Sequence, residues 1–169
     1  YIRRSDIIGS INIDDWQENS PIPDLFNNNL GPDDIIKRIL LEAKNRGMWD
    51  RFDKLIALIP GQPETDPIAL FRERQRLEKY ERMNKKNEAY ELAARLYPIV
   101  RDESSLNIYD TSFIVKTYVN ELMRRENRKE AKDVIGRYIA RLKQGNPRSQ
   151  AYKIFVSNMY MILRDRNRL

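Results

Sequence analysis

The stretch LEKYERMNKKNEAYELAARL, Leu77 to Leu96, sets the reading of the whole chain. Leu77 and Tyr80 stand three residues apart, residues 84–87 are wholly polar, and Ala89, Leu92, Ala93 and Leu96 then recur on one helical face. Two amphipathic helices joined by so short a polar turn must bury their stripes against each other, which makes an antiparallel hairpin. Pro98 is expected to loosen or kink the end of the second helix, because it lacks the N–H that a helix interior uses.

The same pattern extends in both directions. Upstream, Asp66-Pro67 reads as an N-cap followed by proline at the first helical position, opening a helix that carries Ile68, Leu70, Phe71, Leu77 and Tyr80. Before it, Asp33 or Asp34 is expected to cap a helix with Ile35, Ile36, Ile39, Leu40 and Ala43 on one face, and Gly47 ends it. Trp49, Phe52, Leu55, Ile56 and Ile59 follow at helical spacing until Pro60-Gly61, with Trp49 read as a core anchor of this first hairpin.

Downstream, residues 102–107 read as a loop. A helix over 109–125 follows, with Phe113, Ile114, Tyr118, Val119 and Leu122 inward. After the short turn Glu126-Asn127, a helix over 128–143 carries Ala131, Val134, Ile135, Tyr138, Ile139 and Leu142. Residues 144–147, Gln-Gly-Asn-Pro, stop it, and Ser149 can cap a last helix bearing Ala151, Ile154, Phe155, Tyr160, Met161, Ile162 and Leu163. The expectation is an all-α stack of antiparallel helix hairpins, about seven helices, over residues 33–169. Residues 1–32 break the pattern: Ile7, Ile8, Ile11 and Ile13 alternate loosely, then come Pro21, Pro23, three consecutive Asn and Gly31-Pro32. They read as an extended N-terminal arm that packs along the helices.

A resemblance emerges from the hairpin of the opening stretch. Leu77, Tyr80, Ala89, Ala93 and Leu96 fall where a tetratricopeptide repeat (TPR) places its large, aromatic, small, small and large core residues. The polar turn and Glu-Ala pair at 84–89 return at 127–131, and 45–49 occupies the same place in the first hairpin. The second copy departs from the motif: Leu122 stands where an aromatic is usual, and neither copy has the terminal proline in its expected place. Ala89 and Ala131 are 42 residues apart, against about 34 in a regular repeat. The chain thus resembles a degenerate TPR-like α-solenoid. That resemblance implies a groove presented to a peptide or another protein, and a scaffold role in a larger protein or assembly.

Composition narrows the chemistry. The 169 residues contain neither cysteine nor histidine, which removes disulfides, the usual nucleophile–base pairs and the soft metal ligands. The six glycines form no phosphate-binding loop. Asp33 and Asp34 read as helix-terminus charges, and Asp14-Asp15 lacks the ligand count of a calcium loop. No enzyme, cofactor or metal is expected. No run approaches the roughly 20 apolar residues of a membrane helix, so the chain is expected to be soluble. Tyr1 in first place suggests a processed chain or an excised piece of a longer one. A periplasmic or envelope address suits a cysteine-free chain, although a cytosolic protein can lack cysteine too.

Charge is divided unevenly. Residues 1–66 hold 8 Lys and Arg against 12 Asp and Glu, while residues 67–169 hold 23 against 13. The candidate partner-binding residues are accordingly Arg124, Arg125, Arg128, Lys129, Arg137 and Arg141. An alternative has this basic end contact the phosphates of RNA or another nucleic acid, with Tyr118, Tyr138 or Tyr152 stacking on bases. Against that, the tyrosines fall mostly on the apolar stripe, and Glu126, Glu130 and Asp133 interleave with the cations as neighbouring-turn pairs.

Overall fold

The computed structural model describes residues 32–102, 107–144 and 150–165. Among these, seven helices and no strand are present: α1 Pro32–Asn45, α2 Trp49–Leu58, α3 Pro67–Arg82, α4 Lys86–Asp102, α5 Ile108–Arg124, α6 Arg128–Gln144 and α7 Gln150–Asp165. Residues 1–31 of the predicted N-terminal arm, the Ser149 cap, residues 103–106 of the predicted loop and the 145–147 stop lie outside the described residues, as do the side chains of Asp33, Asp34, Ile35, Ile36 and Ala151; Pro32, expected in the arm, opens the first helix. Two compact units divide between Gln62 and Pro63. No described helix is long and apolar enough to cross a membrane.

In the first unit, α1 and α2 pack together through buried Ile39, Leu40, Ala43, Phe52, Leu55, Ile56 and Ile59. Trp49 meets Phe52 edge-to-face at 5.6 Å, as a hairpin anchor should. Helix α1 starts at Pro32, one residue ahead of the expected cap, so Asp33 and Asp34 fall within the helix rather than before it.

The second unit holds α3 to α7 around one apolar core. It runs through Leu70, Leu77, Ala89, Leu92, Ala93, Leu96, Ile114, Val119, Leu122, Ala131, Val134, Tyr138, Phe155 and Met159. Asp66 caps α3 by accepting from the Ile68 N–H at 3.1 Å, and Pro67 takes the first helical position. Asn107 caps α5, accepting from the N–H groups of Tyr109 and Asp110. Helix α5 packs against α3, α4, α6 and α7. Helix α4 continues through Pro98 to Asp102, and Arg141 of α6 donates to the Val100 carbonyl in its last turn. That contact supplies a donor and a positive charge where a helix end leaves carbonyls unsatisfied.

All three hairpins turn in the same way. Gly47, Asn84 and Glu126 adopt left-handed backbone, with φ of 68°, 56° and 60°. In each case the next residue's N–H reaches back to a carbonyl in the helix just ended: Met48 to Ala43, Lys85 to Tyr80, Asn127 to Leu122. The left-handed residue's own N–H bonds to Lys44, Glu81 and Met123 respectively. These paired bonds satisfy the orphan carbonyls of the outgoing helix and aim the chain into the next one. Phe52, Ala89 and Ala131 then occupy the equivalent buried position of each second helix, five residues past the left-handed one.

Candidate partner-binding groove

The groove lies among every second helix of the second unit. Helix α3 contributes Arg74, α5 contributes Tyr109, Ser112, Phe113 and Lys116, and α7 contributes Ile154, Phe155 and Asn158, around a cavity of about 170 Å³. The helical period explains the set: Tyr109, Ser112, Phe113 and Lys116 are three or four residues apart and line one side of α5. That side sits beside the core stripe. Phe155 is a fully buried floor, while Tyr109 and Ile154 are 64% and 49% exposed at the rim.

Two cations lie near the Phe113 ring. The Arg74 guanidinium lies 4.9 Å from its centroid and the Lys116 ammonium 6.0 Å. Arg74 is held in place by two long ion pairs, to Glu78 and Asp110, both at 3.8 Å. Helix α5 is fixed to α6 by Tyr138, whose hydroxyl is 2.6 Å from Thr111 Oγ1 and 3.1 Å from Ser112 Oγ. The groove therefore offers an apolar floor with aromatic walls and positive charge beside them.

A carboxylate lies in the α3–α5 seam close by. Thr117 Oγ1, itself buried, donates to Glu81 Oε1 at 2.8 Å. Burial of that head group pushes the Glu81 carboxyl above the ordinary Glu value, with Glu121 and Glu78 adding to the rise and Thr117 and Lys116 opposing it. The residue as a whole remains exposed, so only its carboxylate end is desolvated.

The six basic residues named from sequence divide into two groups. Arg124 and Arg125 bind the buried Glu121 carboxylate at 2.7 and 3.1 Å. Arg125 also donates to Asn87 Oδ1 at 2.9 Å and covers the Tyr90 ring at 4.0 Å, which joins the second and third turns. Arg141 is engaged by Val100 and lies near the Tyr138 ring. Arg128, Lys129 and Arg137 are exposed. None of the six lines the groove. Tyr118 and Tyr138, candidates for stacking on bases, are 6% and 3% exposed. Tyr118 packs with Tyr90 and Tyr97 and donates to Glu130 at 2.7 Å; burial and that bond push its hydroxyl above the usual phenol range.

The groove residues escaped the sequence reading because they come from three helices far apart in the chain. Their one local signal is position: Phe113 and Ile154 stand at the margins of their apolar stripes, where a large side chain is only half covered. No protein-family model, curated protein sequence or solved structure matches this chain.

Proposed function

We propose that this chain is a TPR-like helical-repeat module of a larger protein or assembly, acting as a scaffold that holds a segment of another polypeptide in the α3–α5–α7 groove. The observation that carries the reading is the pairing of an apolar, aromatic cavity with two cations beside its Phe113 wall, one each from α3 and α5. Supporting the repeat half of the proposal are the shared left-handed turn of the three hairpins and the packing of α5 against both α3 and α7. Buried Ala89, Ala93 and Ala131 let paired helices approach closely.

A segment suited to the groove places an apolar side chain against Phe113 and Ile154 and a carboxylate within reach of Lys116 and Arg74. Peptide selection from a random displayed library, followed by calorimetry, tests this. Recovered sequences should pair an acidic with an apolar residue and bind about 10-fold or more weakly to Phe113→Ala and Lys116→Glu variants, as expected of an anchor pocket. Absence of enriched peptides, or affinities that ignore both substitutions, would overturn the reading.

A further inference from the structure

A second surface, on α6, carries a different chemistry. The helix holds six Lys and Arg against two acids. Glu130 is occupied by Tyr118 and Asn127, and Arg141 by Val100. The remaining five cations, Arg128, Lys129, Lys132, Arg137 and Lys143, are exposed and form no ion pair with a described residue, Asp133 included. At 100° per residue, Lys129, Lys132, Gly136, Ala140 and Lys143 share one face, opposite the buried Ala131, Val134, Tyr138 and Leu142. Arg128 and Arg137 flank it, and the face runs for about 21 Å at 1.5 Å per residue.

Two features of this face are unfavourable for the helix itself. Arg128 and Lys129 stand in the first turn of α6, where the helix dipole disfavours cations, against the single acid Glu130 in that turn. Gly136 sits in mid-helix, where glycine is a poor helix former, and a Cβ placed there would meet nothing within 4 Å. Its smallness therefore answers no neighbour among the described residues; with exposed Ala140 one turn on, it leaves a flat strip between lysines.

The occupant follows from what the face lacks as much as from what it has. The exposed large apolar residues, Met83, Tyr109, Ile154, Tyr160 and Met161, all lie off α6. A protein held there would have no buried anchor, which stable protein interfaces need. A chain of phosphates needs none, since counterion release supplies its affinity. We infer that the exposed face of α6 binds the sugar–phosphate backbone of a nucleic acid, without reading bases. Tyr118 and Tyr138 are buried and unable to stack, and half-buried Tyr152 packs against the core from α7, so recognition on this face rests on charge and on the flat approach over Gly136. This inference is independent of the groove, which lies among α3, α5 and α7.

Fluorescence anisotropy with labelled mixed-sequence RNA and DNA, each single-stranded and duplex, tests it between about 50 and 200 mM salt. Binding to at least one of the four probes is expected, with log affinity falling linearly against log salt at a slope of about −3 to −4. The triple variant Lys129→Glu, Lys132→Glu, Lys143→Glu should weaken binding by about 100-fold at the lowest salt. Gly136→Leu keeps every charge and favours the helix, yet should weaken binding by about threefold or more by lifting the backbone off the strip. Phe113→Ala, in the groove, should leave nucleic-acid binding unchanged. No retention of any probe at the lowest salt, affinity indifferent to the triple variant, or equal displacement by polyglutamate per unit charge would each overturn the inference.

Discussion

The guanidinium of Arg125 lies 4.0 Å over the ring of Tyr90, so the end of α5 is fastened to the beginning of α4. The same side chain donates to Asn87 and to buried Glu121. Removing it exposes a ring face and leaves Glu121 with Arg124 as its ion-pair partner at that site. Arg125→Ala should lower stability by about 1–2 kcal/mol, combining a cation–π contact with a charge-assisted hydrogen bond. Arg125→Lys should recover little of it, because an ammonium cannot stack on Tyr90 and reach Asn87 and Glu121 together. Urea unfolding of the three proteins checks this, and a fully rescuing lysine would contradict it.

Glu126 holds a left-handed backbone that side-chain-bearing residues resist, at a cost of about 1 kcal/mol. Glu126→Gly should therefore raise the unfolding midpoint, by an amount worth about 0.5–1 kcal/mol once glycine's greater freedom in the unfolded chain is counted. Gly47→Ala, at φ 68° with open space around the added carbon, should lower stability by about 1 kcal/mol through backbone strain alone.

Gly136→Ala should stabilise the chain by about 0.8–1 kcal/mol, since helix propensity rises and the new methyl group meets no neighbour. Thermal unfolding followed by circular dichroism measures it. A loss of stability would mean that the glycine serves packing inside the chain after all.

Glu81 gives a pH dependence of definite sign. Its folded carboxyl titrates above the ordinary Glu value, so the folded state binds protons more readily than the unfolded one through that window. The penalty is absent below the unfolded value of about 4.3 and grows to its full size as pH rises through the folded value. Glu81→Gln keeps an acceptor for Thr117 and removes the charge. It should stabilise the protein at pH 7 and make little difference at pH 3, in paired unfolding series at the two pH values.

Much of this architecture is legible in the sequence, because caps and periodicity act locally. Asp66-Pro67, Gly47 and the apolar beat from Leu77 to Leu96 each report on a few neighbouring residues, and the helices lie where they indicate. Contacts across the fold are another matter. Glu73, 3% exposed, is neutralised by Arg72, Arg76 and the distant Arg95, and an amphipathic pattern reads such a charge as solvated. Arg125 reads as a surface cation for the same reason: its partners Asn87 and Tyr90 belong to another hairpin. The apolar residues of α7 read as one stripe, yet Tyr160 and Met161 are exposed, and among its described residues only Phe155 and Met159 reach full burial. The left-handed Glu126 carries no sequence signal, since a glutamate there breaks the preference for glycine or asparagine.

The most direct test of the groove reading is an amide NMR map of the chain with a selected peptide bound. Perturbations concentrated on Tyr109, Phe113, Lys116 and Ile154 are the predicted result. Shifts confined to the exposed faces of α4 and α6, with those four residues unmoved, would contradict it.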